Sequence, residues 1–439
     1  MTRYIIKNGK ILIKNKTLKT DILIENGTIK QIEKDIPVLG DKTEIIDAKG
    51  RQVFPGGLDP HVHMELPTPA GISSDDFLSG SKAALAGGTT SIIDFVTPKR
   101  GQSFIEAYEE RDALARESII DYKFHVSPTW WGNNSAHEME FLKKEKGVHS
   151  FKCYMAYRDS IGIDDETLLK VMKTAKRIKA LVTLHAEIDE IIVANRKRYI
   201  REGKTSPLYH PLSRPPKAEI KAVEKAIKMA ASVNCPIYFV HVSTDGAIKL
   251  IQEAQQYGQE VYAETCPQYL LLDDSVYNQD FEKAAPFVLS PPLRKKEDQE
   301  ALWEAIAQGN IQTIGTDHCP FNLHGQKDLG KDDFTKIANG AGGVEHRMSL
   351  LYTYGVLEGR ISFQQFIDIT SKNAAQIFQF DGKGELKIGM DADLVIWGEN
   401  KELVISAKTH HQRCDSNIYE GMEVKGTVER VFSKHITHA

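Results

Sequence analysis

The chain has 439 residues, 41% of them hydrophobic and 26% charged, the balance of an ordinary globular protein rather than a disordered or fibrous one. Its 56 Lys and Arg against 60 Asp and Glu leave a formal charge of −4 with both signs interspersed, which argues against a nucleic-acid or membrane-surface protein. A single core stops growing at about 250–300 residues, so a large domain with a smaller one is expected.

The amino terminus, Met1 to Gly9, reads as a strand entering a turn and lacks the apolar core and cleavage site of a signal peptide. No apolar run approaches the ~18 residues of a membrane span. The five cysteines (Cys153, Cys235, Cys266, Cys319 and Cys414) are odd in number and scattered, which favours free thiols in a reducing cytoplasm over a disulfide framework. Residues 3–50 alternate apolar and polar positions, as at Ile11, Ile13, Ile22 and Ile24, and Asn8-Gly9 and Asn26-Gly27 supply hairpin-turn residues. This predicts a small β module.

From about residue 52, short apolar runs alternate with helix-length amphipathic stretches, the pattern of repeated βα units and a parallel sheet. The strand candidates are 53–63, 89–96, 121–128, 150–156, 181–187, 236–243, 260–268 and 312–319, with helices at 76–86, 104–117, 165–179, 216–233 and 244–257. Eight strand-like runs match a closed (β/α)8 barrel of about 250 residues. An open doubly wound sheet is the runner-up, but no glycine-rich nucleotide fingerprint follows the first strand. After about residue 385 the β pattern returns, in Asp391-Ala392-Asp393-Leu394-Val395-Ile396-Trp397 and Val404-Ile405-Ser406. The expected division is a β-sandwich domain from 1–51 and 386–439 around a barrel of 52–385.

The unusual polar residues fall at the strand ends of this map. His61 and His63 sit two apart, on one face of a strand, so both imidazoles reach one point. Lys152 lies in the fourth strand, His185 ends the fifth, His241 the sixth and Asp317 the eighth. In a barrel these carboxyl ends converge on the face where active sites lie. Each residue has a plainer reading: His185 and His241 as core histidines, Asp317 as a helix cap, Lys152 as a lysine reaching solvent from a strand end. Their convergence favours a metal site. Lys152, between Phe151 and Cys153, would be buried at heavy desolvation cost unless neutralised. A neutral amine is a nucleophile that can add carbon dioxide, giving a carbamate able to bridge two metals.

The chain resembles the cyclic amidohydrolases, most closely the dihydropyrimidinase/D-hydantoinase family of the amidohydrolase superfamily. The resemblance runs through Pro55-Gly56-Gly57-Leu58-Asp59-Pro60-His61-Val62-His63, Ser150-Phe151-Lys152 with Met155-Ala156-Tyr157, His185-Ala186-Glu187, His241-Val242-Ser243-Thr244, Ser290-Pro291-Pro292-Leu293-Arg294, Thr316-Asp317-His318-Cys319-Pro320-Phe321, and the tail Ile405 to Gln412. It implies two divalent ions, zinc in type: His61, His63 and Asp317 on one, His185 and His241 on the other, with carboxylated Lys152 and a hydroxide bridging both. It further implies that Asp317 is general base then acid, that Tyr157 donates to the oxyanion, and that Ser290 and Asn339 hold the ring amide through backbone groups. The implied reaction opens dihydropyrimidines or 5-substituted hydantoins to N-carbamoyl amino acids, in a cytoplasmic homotetramer.

Some positions depart from that pattern. Ile188 stands where a polar residue is expected. Glu65 stands where related dihydroorotases use an arginine for a substrate carboxylate, so a neutral ring is the expected substrate. Arg294 and Arg347 are the arginines that would undo this expectation if they reached the site. Allantoinase is the nearest enzymatic rival, and a non-catalytic scaffold of the same fold is the rival from another class. His318 and Cys319 are taken as supports behind the ligands or as structural residues, because the ligand set is complete without them.

Overall fold

The computed structural model describes residues 3–13, 16–38, 43–433 and 436–438. The extreme ends assigned to the small domain, including Met1 and Ala439, lie outside the described residues. Eight parallel strands form the barrel sheet: Gly57–Asp59, Thr89–Val96, Asp121–Val126, Ser150–Tyr154, Leu181–His185, Ile237–Phe239, Val261–Thr265 and Thr313–Ile314. Each is hydrogen-bonded to the next in chain order. Most of their side chains are buried on both faces, so the runs lack a regular apolar-polar alternation.

The helices wrap the outside on faces visible in their spacing. Helix Asp165–Ile178 starts where Asp164 accepts the Thr167 N–H at 2.8 Å and buries Leu168, Val171, Met172 and Ala175. Full burial of a Leu, Val or Met side chain contributes ~1.5–3 kcal/mol. Helix Pro216–Val233 begins with a proline in its first turn and buries Ala218, Ala222, Ala226 and Ala230, a stripe of small residues. All five expected helices form. Ser135–Glu145, Asp189–Arg201 and Lys296–Ala307 are three more, whose charged residues masked a narrow apolar stripe.

The first expected strand, 53–63, is two strands. Gln52–Pro55 pairs with the terminal sheet, and Gly57–Asp59 begins the barrel. Pro55 has no N–H to donate, so the ladder breaks there and the chain changes sheets. The terminal strands, Arg3–Ile13, Lys16–Glu25, Thr28–Glu33, Thr43–Asp47, Gln52–Pro55, Leu394–Val404, Glu423–Ser433 and Ile436–His438, make one hydrogen-bonded sheet. It is folded over a common core in which Ile6, Ile22 and Ile24 join Leu394, Ile396 and Phe432, so the two layers of the sandwich are continuous. Asn26-Gly27 makes the expected hairpin turn, with φ of 51° and 71°. Asn8-Gly9 does not turn the chain. It forms a bulge inside Arg3–Ile13, where Asn8 takes φ 59° and its N–H donates to Asp21 at 2.9 Å.

Among the described residues, the ladder between the first and eighth strands shrinks to a single bridge, Val62 with His318, where His63 N donates to His318 O at 2.7 Å, and side chains complete the closure. The two strands also meet where Asp59 accepts from Thr316 N (3.1 Å) and Thr316 Oγ1 (2.6 Å). Arg347 is fully buried across the same seam. Its Nη1 donates to Leu58 O (2.9 Å) and Ile314 O (2.8 Å), and its Nη2 donates to Thr89 Oγ1 and Thr370 O, both at 3.2 Å. Gly57 makes the room: a Cβ there would sit 2.7 Å from Arg347 Nη2. Arg347→Met, which leaves these carbonyls without a charged donor, is expected to cost on the order of 3–5 kcal/mol. Chemical denaturation measures it, and an unshifted midpoint would show that the seam holds without the guanidinium.

Candidate metal centre

His61 and His63 follow the first barrel strand, and Asp317 follows the eighth. Their ligand atoms lie together: His61 Nε2 and His63 Nε2 are 3.2 Å apart, and each is 3.1 Å from Asp317 Oδ1. Among the described residues these three form a possible metal site, with all ligand atoms within 4.8 Å of one another. His185, ending the fifth strand, and His241, just past the sixth, form a second pair, with His185 Nδ1 3.0 Å from His241 Nε2. The halves adjoin, since the His61 and His241 rings are 5.4 Å apart.

Second partners aim two of the four rings, His61 and His185. A carboxylate only accepts, so His61 donates Nδ1–H to Glu264 Oε1 (2.7 Å) and turns Nε2 to the site. His185 donates Nε2–H to Glu187 Oε2 (2.8 Å) and turns Nδ1 inward. Glu264 also accepts the His241 N–H (3.1 Å) and the Tyr238 hydroxyl (2.8 Å). Gly315 leaves space for this, because a Cβ there would be 2.8 Å from the Glu264 carboxyl carbon. Glu187 is paired with the buried Arg214 guanidinium.

Charge in the pocket suits a cation. Burial opposes a proton on His61, yet Glu264 and then Asp317 outweigh it and lift its pKa to about 9. Burial, against Asp317, keeps His63 below its usual value; burial with His185 and Lys152 nearby holds His241 well below. Burial also lowers His185, against the pull of Glu187. Burial alone would raise Asp317, but the His61 and His63 imidazoles hold it ionised, well below the usual carboxylate range. The carboxylates thus draw positive charge onto His61 while His63, His185 and His241 are kept neutral, so the pocket favours a cation and turns nitrogen and carboxylate donors toward it. This donor set fits divalent metal.

Lys152 is buried, with Nζ 5.1 Å from the centre of the Phe95 ring, on which the His63 ring stacks at 4.5 Å. Burial, partly offset by Asp317 and Glu264, lowers its pKa to about 8, which makes the neutral amine far easier to reach than in a free lysine. Tyr157 places its ring 5.1 Å from His185, with the Arg214 guanidinium 5.0 Å from its centre and its N–H held by Asp189 at 2.8 Å. Ser290 and Asn339 come from separate loops and meet, Ser290 Oγ donating to Asn339 Oδ1 at 2.7 Å. Pro291, beside Ser290, lines the same small internal cavity as His241. Glu65, Tyr157, His241 and Asp317 all take positive φ, from 39° to 62°. Strained backbone in non-glycine residues gathers at this end of the barrel, as it does at functional sites.

Other residues are engaged elsewhere. Arg294 is buried against Ser243 Oγ (3.1 Å), the Arg214 carbonyl (2.6 Å) and Glu219, and Arg347 spans the seam. His318 turns Nε2 to Asp75 (3.1 Å) and accepts the Gly343 N–H on Nδ1 (3.1 Å), a loop contact. The loop after His63 folds back as a short hairpin, Pro67–Thr68 with Gly71–Ile72. Sequence reasoning passed over Glu264. A glutamate between Ala263 and Thr265 in an apolar strand was the signal, since a buried charge demands a partner.

Residues 52–434 match the amidohydrolase family. A dihydropyrimidinase of Dictyostelium discoideum is 43% identical over 427 residues, 96% of this chain and 84% of that one. A D-hydantoinase of Geobacillus stearothermophilus is 42% identical over 424 residues, 96% of this chain and 90% of that one. The crystal structure of a dihydropyrimidinase from Brevibacillus agri superposes with a TM-score of 0.97 at 41% identity, covering 99% of this chain and 94% of that one.

Glu264→Gln keeps the shape but loses the charge that aims His61. It is expected to weaken zinc binding by roughly 10–100-fold, read by calorimetric titration of metal-stripped protein. Unchanged affinity would show that Glu264 plays no part in metal binding.

Proposed function

We infer that this chain, which belongs to the amidohydrolase family in its dihydropyrimidinase and D-hydantoinase branch, hydrolyses a cyclic amide C–N bond. The carrying observation is the convergence of His61, His63 and Asp317 beside the His185–His241 pair at the carboxyl end of a (β/α)8 barrel. The proposed substrate is a neutral ring, a dihydropyrimidine or a 5-substituted hydantoin, and the product an N-carbamoyl amino acid.

In this reading His61, His63 and Asp317 hold one divalent ion and His185 and His241 a second, zinc in each case. Lys152 would add carbon dioxide at Nζ with loss of a proton, and its carbamate would supply a further anionic oxygen ligand to the metal centre. Such ions, when bound, acidify a water to near-neutral pKa and polarise the scissile carbonyl. Asp317, kept ionised by the flanking histidines, takes the proton of the attacking water and delivers it to the leaving ring nitrogen. Tyr157 donates its hydroxyl to the oxyanion formed at the carbonyl, a role commonly worth ~2.7–4 kcal/mol. Its clamped backbone and the guanidinium against its ring favour a fixed pose, which such a donor needs. Ser290 Oγ donates to Asn339 Oδ1 and Asn339 Nδ2 to Ile337 O, and in this reading the backbone groups of Ser290 and Asn339 hold the ring amide. We assign residues 1–51 and 386–439 to the β-sandwich and 52–385 to the barrel, except that Gln52–Pro55 goes with the terminal sheet it pairs with. We further assign the protein to the cytoplasm, as a homotetramer. Its five cysteines are all free, and no helix among the described residues is long and apolar enough to cross a membrane.

A turnover panel of the zinc-loaded protein with dihydrouracil, 5-phenylhydantoin, hydantoin, allantoin and dihydroorotate tests this reading. With Arg294 and Arg347 both buried in other contacts, neither stands free to pair with a substrate carboxylate. Neutral rings are therefore expected to exceed dihydroorotate in kcat/KM by roughly a hundredfold or more. Comparable values for dihydroorotate and dihydrouracil would move the assignment to dihydroorotase. Turnover of allantoin alone would move it to allantoinase.

A further inference from the structure

Lys327 is a lysine that nothing in the metal centre uses, yet it is fully buried. It lies in the loop after the eighth strand, in the short helical turn Lys327–Gly330. Burying an amine that has no carboxylate partner is costly, so what it touches matters. Its Nζ donates to two backbone carbonyls, Val288 O at 3.0 Å and Ala338 O at 2.9 Å. One acceptor is two residues before Ser290, and the other immediately precedes Asn339. These two loops are 49 positions apart in the chain at the Ser290–Asn339 contact, and a single side chain ties both.

Other bonds support the same segments. Gly340 N donates to Val288 O at 3.0 Å, and the buried His210 donates Nε2–H to Leu289 O at 2.7 Å. The second loop also reaches the metal side, since Cys319 N donates to Ala341 O at 2.9 Å, two residues beyond Asp317. Carbonyls occupied in this way turn each peptide plane in one direction. The planes at Ser290 and Asn339, which the proposed reading assigns to the ring amide, are set as a consequence. Burial lowers the Lys327 pKa to about 7. Even the neutral amine keeps two N–H donors, one for each carbonyl.

We propose that Lys327 is a positioning residue for substrate, which holds the Ser290 and Asn339 loops at a fixed separation so that their backbone groups grip the ring amide. The inference rests on the ring-opening reading. It acts on binding of the ring rather than on the reacting carbonyl. Its loss therefore raises KM and leaves kcat at saturation and metal content nearly unchanged.

The test compares wild type, Lys327→Met and Lys327→Gln as zinc-loaded full chains. Each is assayed for kcat and KM with dihydrouracil and for zinc per chain. Hydrogen exchange is followed in peptides covering 288–290 and 337–341. Lys327→Met is expected to raise KM by about tenfold or more with kcat within about threefold, and to speed exchange in both segments together. Lys327→Gln, with two N–H donors on a shorter stem, should fall between; it carries the test if the methionine variant does not fold. An unchanged KM in either folded variant, or equal loss of kcat and zinc, would overturn the inference while wild-type turnover left the ring-opening reading intact. A wild type that opens no ring amide would overturn both, and is distinguished by being seen before any substitution is made.

Discussion

The hydrogen bond from His61 Nδ1 to Glu264 Oε1 is the contact on which the rest of the centre depends. It joins the first barrel strand to the seventh across the eighth, between residues 203 positions apart. The same carboxylate takes the His241 backbone N–H and the Tyr238 hydroxyl, so one side chain aims the His61 ring in one half of the site and holds the His241 backbone in the other. Water competes with such bonds on a surface. Fully buried, Glu264 has no such competitor, and breaking the set strands a charge in a low-dielectric interior. His61 and His185, two of the proposed metal ligands, are thus held by carboxylates that are themselves held.

The carboxyl end of the barrel combines costs that a stability-driven design would avoid. Glu187 and Arg214 are buried together, Asp59 and Arg347 lie on the seam, and four residues at the rim take left-handed backbone. The stable part of the molecule lies below, in the apolar strands and in helices such as Asp165–Ile178 that cover them. A rigid barrel can carry strained loops because closing the sheet leaves them few alternative positions. The arrangement suits hydrolysis, in which small displacements of a base or an oxyanion donor cost rate steeply.

Much of this was legible in the chain. Runs such as Ile237-Tyr238-Phe239 announce buried parallel strands, and histidines at their ends become significant once the barrel brings those ends together. What stayed hidden depends on pairings across long separations. Glu264 acquires meaning only beside His61. Arg347 reads as a substrate-binding candidate until the seam shows it spanning Leu58 and Ile314. Lys327, between Gln326 and Asp328, looks like a solvated lysine in a polar loop. Asn8-Gly9 carries turn chemistry, but a bulge needs the same left-handed residue, and only the partner strand decides between them.

Counting metal against activity tests the central claim most directly. Protein purified without added chelator, and its Lys152→Ala variant, are assayed for transition metals by emission spectrometry and for ring opening in the same preparation. The account predicts close to two divalent ions per wild-type chain, with both metal and activity lost in the variant. Active wild-type protein carrying no bound transition metal would contradict it.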